Sequence, residues 1–256
     1  MIKHIRISKE DEAALVAARP ATAGADSSAM QPDYSTVVIE KPWGHEYSLV
    51  RSDASDAWFL SIKQGECTSM HCHPTKKTSI VLLRGACEVT TFNEVTALKA
   101  GDGIIIDKGV FHSTKAISPS GISLLETETP VNKGDLVRLN DSYGRAGTSY
   151  EGGKYVRPRD PLAMPSFYET KSEGWHMAFP ECRLSVHELS DAARFVQALS
   201  DFSHGVMVVL HGEVRDKNDS VLFSHADAFH AHEIMAHGDS FSLTGGLKLL
   251  YVQKTL

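Results

Sequence analysis

Cysteine is scarce in this chain. Its 256 residues contain four, Cys67, Cys72, Cys87 and Cys182, and none form a Cys-x-x-Cys pair. That excludes a disulfide scaffold and speaks against a zinc ribbon or a thioredoxin-like centre. Positive charge is also short. The chain has 26 Lys and Arg against 32 Asp and Glu, a formal charge of −6. No global field exists to hold phosphate backbones, so nucleic acid is not an expected partner. Long apolar runs are missing too. Residues 206–210 are typical of the longest, far below the roughly 18–20 residues of a membrane span. Residues 1–10 lack the apolar region of a secretory signal. With so few cysteines, the expected location is the cytoplasm. What remains, 42% apolar and 23% charged residues, is the composition of a globular protein of one large or two small domains.

Residues 1–34 stand apart. Residues 10–19 are Ala-rich and could form a short helix, and residues 20–32 have linker composition. The expectation is a loosely held N-terminal extension. From Thr36 onward, short strands predominate: 36–40, 46–50, 57–63, 79–83, 87–91, 103–107 and 122–125. Trp58, Leu60 and Ile62 share a face at period two. Glycines punctuate these strands, which predicts an antiparallel sandwich or barrel over residues 35–130. Residues 131–170, polar and rich in Gly, Pro and Tyr, read as a connector packed on the surface. Residues 171–256 carry further strand patterns at 183–189, 204–214, 220–223, 239–243 and 247–252, with Ser190 as the cap of a helix over 191–199. Residues 205–214 echo 78–89, each an apolar run, a glycine and a Glu-Val strand. Two related β-domains are the reading.

The informative stretch runs from Gly65 through His71-Cys72-His73 and Gly85, then from Gly101 through Gly109 to His112. Alternate residues of a strand point to one side. His71 and His73 can therefore enter one lumen while Cys72 faces away, and His112 can arrive from a neighbouring strand. Three neutral imidazoles suit Zn, Ni, Co or Fe and leave positions open for substrate.

This pattern resembles the cupin superfamily. Gly65, His71, His73 and Gly85 fit its first motif, and Gly101, Gly109 and His112 fit its second. The glutamate of the first motif is replaced by Thr78, or by Lys77 at the shorter spacing, and the proline of the second by Asp107. Lys41-Pro-Trp-Gly44 and the run from Asp135 to Arg145, Asp-Leu-Val-Arg-Leu-Asn-Asp-Ser-Tyr-Gly-Arg, are similar to the start and end of the type II mannose-6-phosphate isomerase cupin domain. Residues 71–78 also resemble uncharacterised cupins encoded among bacterial surface-polysaccharide genes. The nucleotidyltransferase half of bifunctional members has no counterpart, since no Gly-x-Gly-Gly-x-Gly segment occurs.

The resemblance implies an all-β double-stranded β-helix, or jelly roll, duplicated as a bicupin behind a short N-terminal helical extension. It implies one divalent transition metal (Zn, Ni, Co, Mn or Fe) on His71, His73 and His112, a small carbohydrate substrate and a homodimer. The leading expectation is a metal-dependent isomerase or epimerase of a sugar or sugar phosphate in surface-carbohydrate synthesis. Glu126 or Glu128, on one face of their strand, would shuttle the proton or replace the missing ligand. Arg145, with Lys76 and Lys77 as further substrate-binding residues, would hold an anionic group. Two alternatives stay open: a three-histidine Fe(II) dioxygenase, and a non-catalytic sugar-binding or regulatory cupin. Blander roles are open too. The histidines could merely line the lumen, the glutamates end a strand in solvent, and the lysines sit on an exposed loop. Arg138 and Asp141 read as structural, with Tyr143 in a clamp or lid. The second His-x-His, His230 and His232 with His237 and Asp239 behind, reads as a loop or rim.

Overall fold

Two kinds of strand alternate along the chain, and their burial explains the difference. Residues 79–83 are nearly continuous in apolar side chains, whereas residues 95–99 alternate exposed and buried. A strand covered on both faces reads as a run; one with a wet face reads as an alternation. The computed structural model describes residues 1–18, 32–146, 155–169, 174–237 and 241–255. The linker expected at 20–32 lies outside them apart from Pro32, as does Asp239.

The first half contains β1 (Ile2–Ile5), α1 (Lys9–Ala18), β2 (Val37–Lys41), β3 (Gly44–Arg51), β4 (Asp56–Ile62), β5 (Met70–Cys72), β6 (Lys77–Arg84), β7 (Ala86–Thr91), β8 (Val95–Lys99), β9 (Gly103–Ile106), β10 (His112–Ala116) and β11 (Ile122–Thr129). Then come β12 (Val137–Asn140), β13 (Val156–Pro158), β14 (His176–Ala178), β15 (Cys182–Leu189), α2 (Ala192–Asp201), β16 (Gly205–Arg215), β17 (Val221–Phe223), β18 (Ala228–Phe229), α3 (Ala231–Met235) and β19 (Ser242–Lys254). The protein is all-β. None of its described helices is long and apolar enough to cross a membrane.

Three sheets form layers. An eight-stranded sheet runs β1-β9-β6-β11-β4-β3-β2-β13, and a five-stranded sheet runs β12-β5-β10-β7-β8. These two face each other as a jelly roll. Trp58, Leu60, Ile80, Leu82, Ile104 and Leu124 of the large sheet meet Cys87, Val89, Leu98 and Ala116 of the small one. The third sheet runs β14-β15-β19-β16-β17, with β18 on β16. It packs on the outer face of the large sheet, where Tyr47, Leu49, Phe59, Val81, Leu83 and Leu125 meet Leu184, Val206, Val208, Leu210, Leu250 and Val252. Each such side chain contributes roughly 1.5–3 kcal/mol by leaving water. The second β-rich half is thus one sheet laid on the barrel wall. Its far face is closed by α2 and α3, through Phe195, Leu199, Phe202 and Ile234 against Met207, Val209, Leu249 and Tyr251.

Several local expectations need correction. The first eighteen residues are not loosely held. β1 pairs in parallel with β9, because Ile2 to Ile5 offers an extended, β-branched edge to a strand otherwise unpaired on that side. Ser8 and Asp11 form a reciprocal cap on α1, with Ser8 N donating to Asp11 Oδ2 at 2.9 Å and Asp11 N to Ser8 Oγ at 3.1 Å. Residues 131–170 are not only a surface connector, since they supply β12 to one sheet and β13 to another. The cap of α2 is Asp191, not Ser190: its Oδ1 accepts from Arg194 N at 2.9 Å. The strands expected at 239–243 and 247–252 are one continuous strand from residue 242. Gly245 and Gly246 take positive φ in it, so they bend the strand without ending it.

Candidate metal centre

Two strands of the small sheet bring the histidines together. His112 on β10 is registered directly opposite His71 on β5. β5 is only three residues long, and the chain past it turns so that Gly109 N donates to His73 O at 2.8 Å. Gly109 has φ +83°, a conformation that favours glycine at this turn. Asp107, at the proline position, is explained by its neighbour: its Oδ1 lies 2.6 Å from His4 Nε2 of β1. Asp11 reaches the same turn from α1, accepting from Phe111 N at 2.8 Å.

The three rings share one tautomer. His71 Nδ1 is 2.8 Å from Ser69 O, His73 Nδ1 is 2.6 Å from Asp135 O, and His112 Nδ1 is 3.0 Å from Val110 O. A carbonyl oxygen only accepts, so each Nδ1 carries the proton and each Nε2 presents a lone pair. The ligating atoms of the three lie within 4.8 Å of one another. Burial pushes all three imidazoles below their ordinary range, His71 and His73 far below, and so keeps them neutral. His73 Nε2 and His112 Nε2 are buried without a hydrogen-bond partner. Buried orphaned nitrogens are costly. Three neutral nitrogens aimed at one point, each oriented by a main-chain acceptor, fit a transition metal. The second His-x-His is arranged otherwise. His230 opens α3 with its Nδ1 on Gly205 O at 2.9 Å, and His232 lies within that helix.

The large sheet supplies the carboxylates. Ile122, Leu124, Glu126 and Glu128 of β11 share the lumen face, so the glutamates are buried and do not end a strand in solvent. His73, Glu126 and Glu128 form a second group whose ligating atoms lie within 4.8 Å of one another. Glu128 Oε1 stands 3.4 Å from His73 Nε2 and 2.7 Å from Lys76 Nζ. Glu128 is registered across from Thr78, the position where the resemblance expects a ligand carboxylate. Burial, then the charge of Glu128, pushes the Glu126 carboxyl up to about 8. Lys76 and Lys133 hold Glu128 below the usual carboxylate range despite its burial.

The two lysines separate. Lys76 is 1% exposed and lines the cavity, so it is no surface-loop lysine. Lys77 does not enter the site. As the alternate residue of β6 it faces the third sheet, where its Nζ bonds Asp227 Oδ1 at 2.8 Å. Arg145 lines the cavity, with its Nη2 on Asp141 Oδ1 at 2.7 Å. Arg138 Nε donates to Ser69 Oγ at 3.2 Å, and Tyr143 Oη donates to Glu66 Oε2 at 2.5 Å. The closing motif therefore clamps the chain around the strand that carries His71. Its first residue, Asp135, accepts Thr75 N at 2.9 Å and Lys76 N at 3.1 Å on Oδ2, while its carbonyl orients His73.

Sequence reasoning missed one feature, a buried chain of alternating charge. Glu46 lies 3.7 Å from Lys41 and 3.4 Å from Lys133, and Lys133 lies 4.0 Å from Glu128. Lys133 Nζ also sits 3.7 Å from the centre of the Trp58 ring. The only sequence signal was Lys41 in the opening Lys-Pro-Trp-Gly. The cavity has a free volume of about 50 Å³, room for an ion and a few waters. Lys41, Lys76, Lys133, Arg138 and Arg145 line it together with Glu46, Glu126 and Glu128.

Residues 58–128 match the family model described as a cupin domain. The match takes in His71, His73 and His112. Its curated relatives include the xanthan biosynthesis protein XanB of Xanthomonas campestris pv. campestris (strain B100), 27% identical over 109 residues, which cover 42% of this chain and 23% of that protein. The mannose-1-phosphate guanylyltransferase of Salmonella montevideo is 26% identical over the same shares. The chain thus spans about a quarter of the length of these relatives. Among solved structures, KdgF from Halomonas sp. is similar at 16% identity and a TM-score of 0.36, over 41% of this chain and 96% of that one.

Proposed function

We propose that this cupin is a divalent-metal isomerase or epimerase of a sugar phosphate, working in surface-carbohydrate synthesis. The carrying observation is the convergence of three Nε2 lone pairs beside two buried carboxyl groups. A metal held by His71, His73 and His112 would polarise adjacent carbonyl and hydroxyl oxygens of the sugar and acidify the C–H between them. The chain's own residues would do the rest. Glu128, held ionised by Lys76, would stand beside the histidines as a further carboxylate for the metal. Glu126, in its ionised form, would take that proton and give it to the former carbonyl carbon, while the hydroxyl proton passes from one sugar oxygen to the other. The cationic lining, Arg138 and Lys41 among it, would hold the phosphate. The distant likeness to proteins named for xanthan synthesis and mannose-1-phosphate chemistry supports this substrate class. A cytoplasmic homodimer is part of the same proposal.

Elemental analysis of the purified protein beside His71→Ala/His112→Ala is the first test. One equivalent of a transition metal, absent from the variant, is expected. The loaded protein should then wash deuterium from D2O into C2 of mannose 6-phosphate or a related sugar phosphate. No bound metal after anaerobic reconstitution would refute the proposal. Thr78 at the ligand position favours a second reading, a three-histidine iron dioxygenase. Bound iron, with O2 consumed and no deuterium wash-in, would select it.

A further inference from the structure

A buried ammonium stands beside a site arranged for a cation. Lys76 Nζ lies 2.7 Å from Glu128 Oε1, and that same oxygen lies 3.4 Å from His73 Nε2. Both charged side chains are 1% exposed. Glu128 Oε2 has no hydrogen-bond partner and is 4.0 Å from Lys133 Nζ. Glu128 faces Thr78 across the β6–β11 pair. A carboxylate absent from one strand is therefore offered by its neighbour, one register position away, and a lysine holds it.

We propose that Lys76 is a tethered competitor for the metal. Its ammonium binds Glu128 while the three histidines are unliganded, and a divalent ion loads by taking Glu128 from it. The inference rests on the metal reading above and specifies how the fourth ligand is released. The physical basis is charge. A dication beside the ammonium repels it and attracts the carboxylate, so the two cations exclude each other from Glu128. Only the lysine side chain need move. Its backbone is fixed by Lys76 N on Asp135 Oδ2 at 3.1 Å, and its flexible stem can turn the ammonium within the cavity it lines. The proposal also accounts for the pairing of a lysine with the carboxylate nearest the histidines, where a neutral partner would leave no competition.

The test is a competition titration of Zn(II) and Co(II) against a chromophoric chelator. Lys76→Met keeps the stem and removes the charge. It is expected to bind both ions at least 10-fold more tightly than the wild type. Lys76→Arg, which keeps the charge, should bind no more tightly than the wild type. Lys76→Met/Glu128→Gln should lose the gain, and its Co(II) absorption should differ from that of Lys76→Met, reporting one oxygen ligand fewer. Equal or weaker binding by Lys76→Met, or a gain that survives Glu128→Gln, overturns the inference. If the wild type binds one equivalent and the Lys76 variants bind alike, this inference fails and the metal centre stands. If neither wild type nor Lys76→Met binds metal, both fail. Should Lys76→Met not fold, 15Nζ-lysine NMR of the wild type decides. A protected Lys76 ammonium signal must shift or broaden on adding one equivalent of Zn(II), and a signal unchanged at saturation overturns the inference.

Discussion

Asp135 ties the metal loop to the closing motif, and removing its side chain should separate stability from metal affinity in a measurable way. The carboxylate accepts two backbone N–H groups, Thr75 at 2.9 Å and Lys76 at 3.1 Å. Hydrogen bonds to charged groups contribute about 1.5–3 kcal/mol each. Thr75 is exposed, which places its bond at or below the lower end. Asp135→Ala should therefore cost about 2–3 kcal/mol. For a chain of this size that is a fall in Tm of roughly 5–10 °C. The main-chain carbonyl that orients His73 stays, at 2.6 Å in the wild type, but its residue is no longer pinned to the loop it serves. Loss of such outer support typically weakens metal binding about 10–100-fold. Asp135→Asn keeps one acceptor oxygen and should recover part of both losses. Thermal unfolding of metal-free protein and chelator competition for Zn(II) give the two readouts. Wild-type metal affinity in Asp135→Ala, at the expected drop in Tm, would show that loop anchoring does not reach His73 and would refute the reasoning.

Three further outcomes follow from the same geometry. Leu83→Ala, at the seam between the large and third sheets, should cost about 2–5 kcal/mol and leave the number of metal equivalents bound by the folded protein unchanged, read by denaturant unfolding and elemental analysis. Lys77→Ala removes a half-exposed pair with Asp227, so it should change stability by no more than about 1 kcal/mol and leave metal affinity unchanged; a loss of affinity would place Lys77 in the site after all. Glu126→Gln should retain the metal and slow deuterium wash-in about 10²–10⁴-fold; unaltered wash-in would remove Glu126 from the proton transfer.

What could be read in advance depended on how local the signal was. The three histidines announced themselves because strand alternation and two glycine turns set their geometry within a short span. The strands of the large sheet were visible as apolar runs, since both of their faces are covered. β5 and β12 were not, because Met70–Cys72 is too short for periodicity and Val137–Asn140 carries Arg138 and Asn140. Lys76 and Lys77 looked alike in the sequence. Only the fold tells them apart: Lys76, just before β6, points inward, and Lys77, its first residue, reaches Asp227. The role of Lys133 was not legible: Glu46 and Trp58 lie far away in the chain, and Glu128, though close in sequence, is brought to it only by folding.

The large sheet is a party wall. One face of β4, β6 and β11 holds the cavity, and the other holds the third sheet. The boundary suggested by the cupin match is therefore a poor place to divide the protein. A fragment ending after the closing motif would keep every residue of the candidate centre described above. It would also bare Tyr47, Leu49, Phe59, Val81, Leu83 and Leu125 as one continuous apolar surface, large enough to drive self-association. The two halves are best treated as a single piece for expression, for crystallisation and for any transplant of the site into another scaffold.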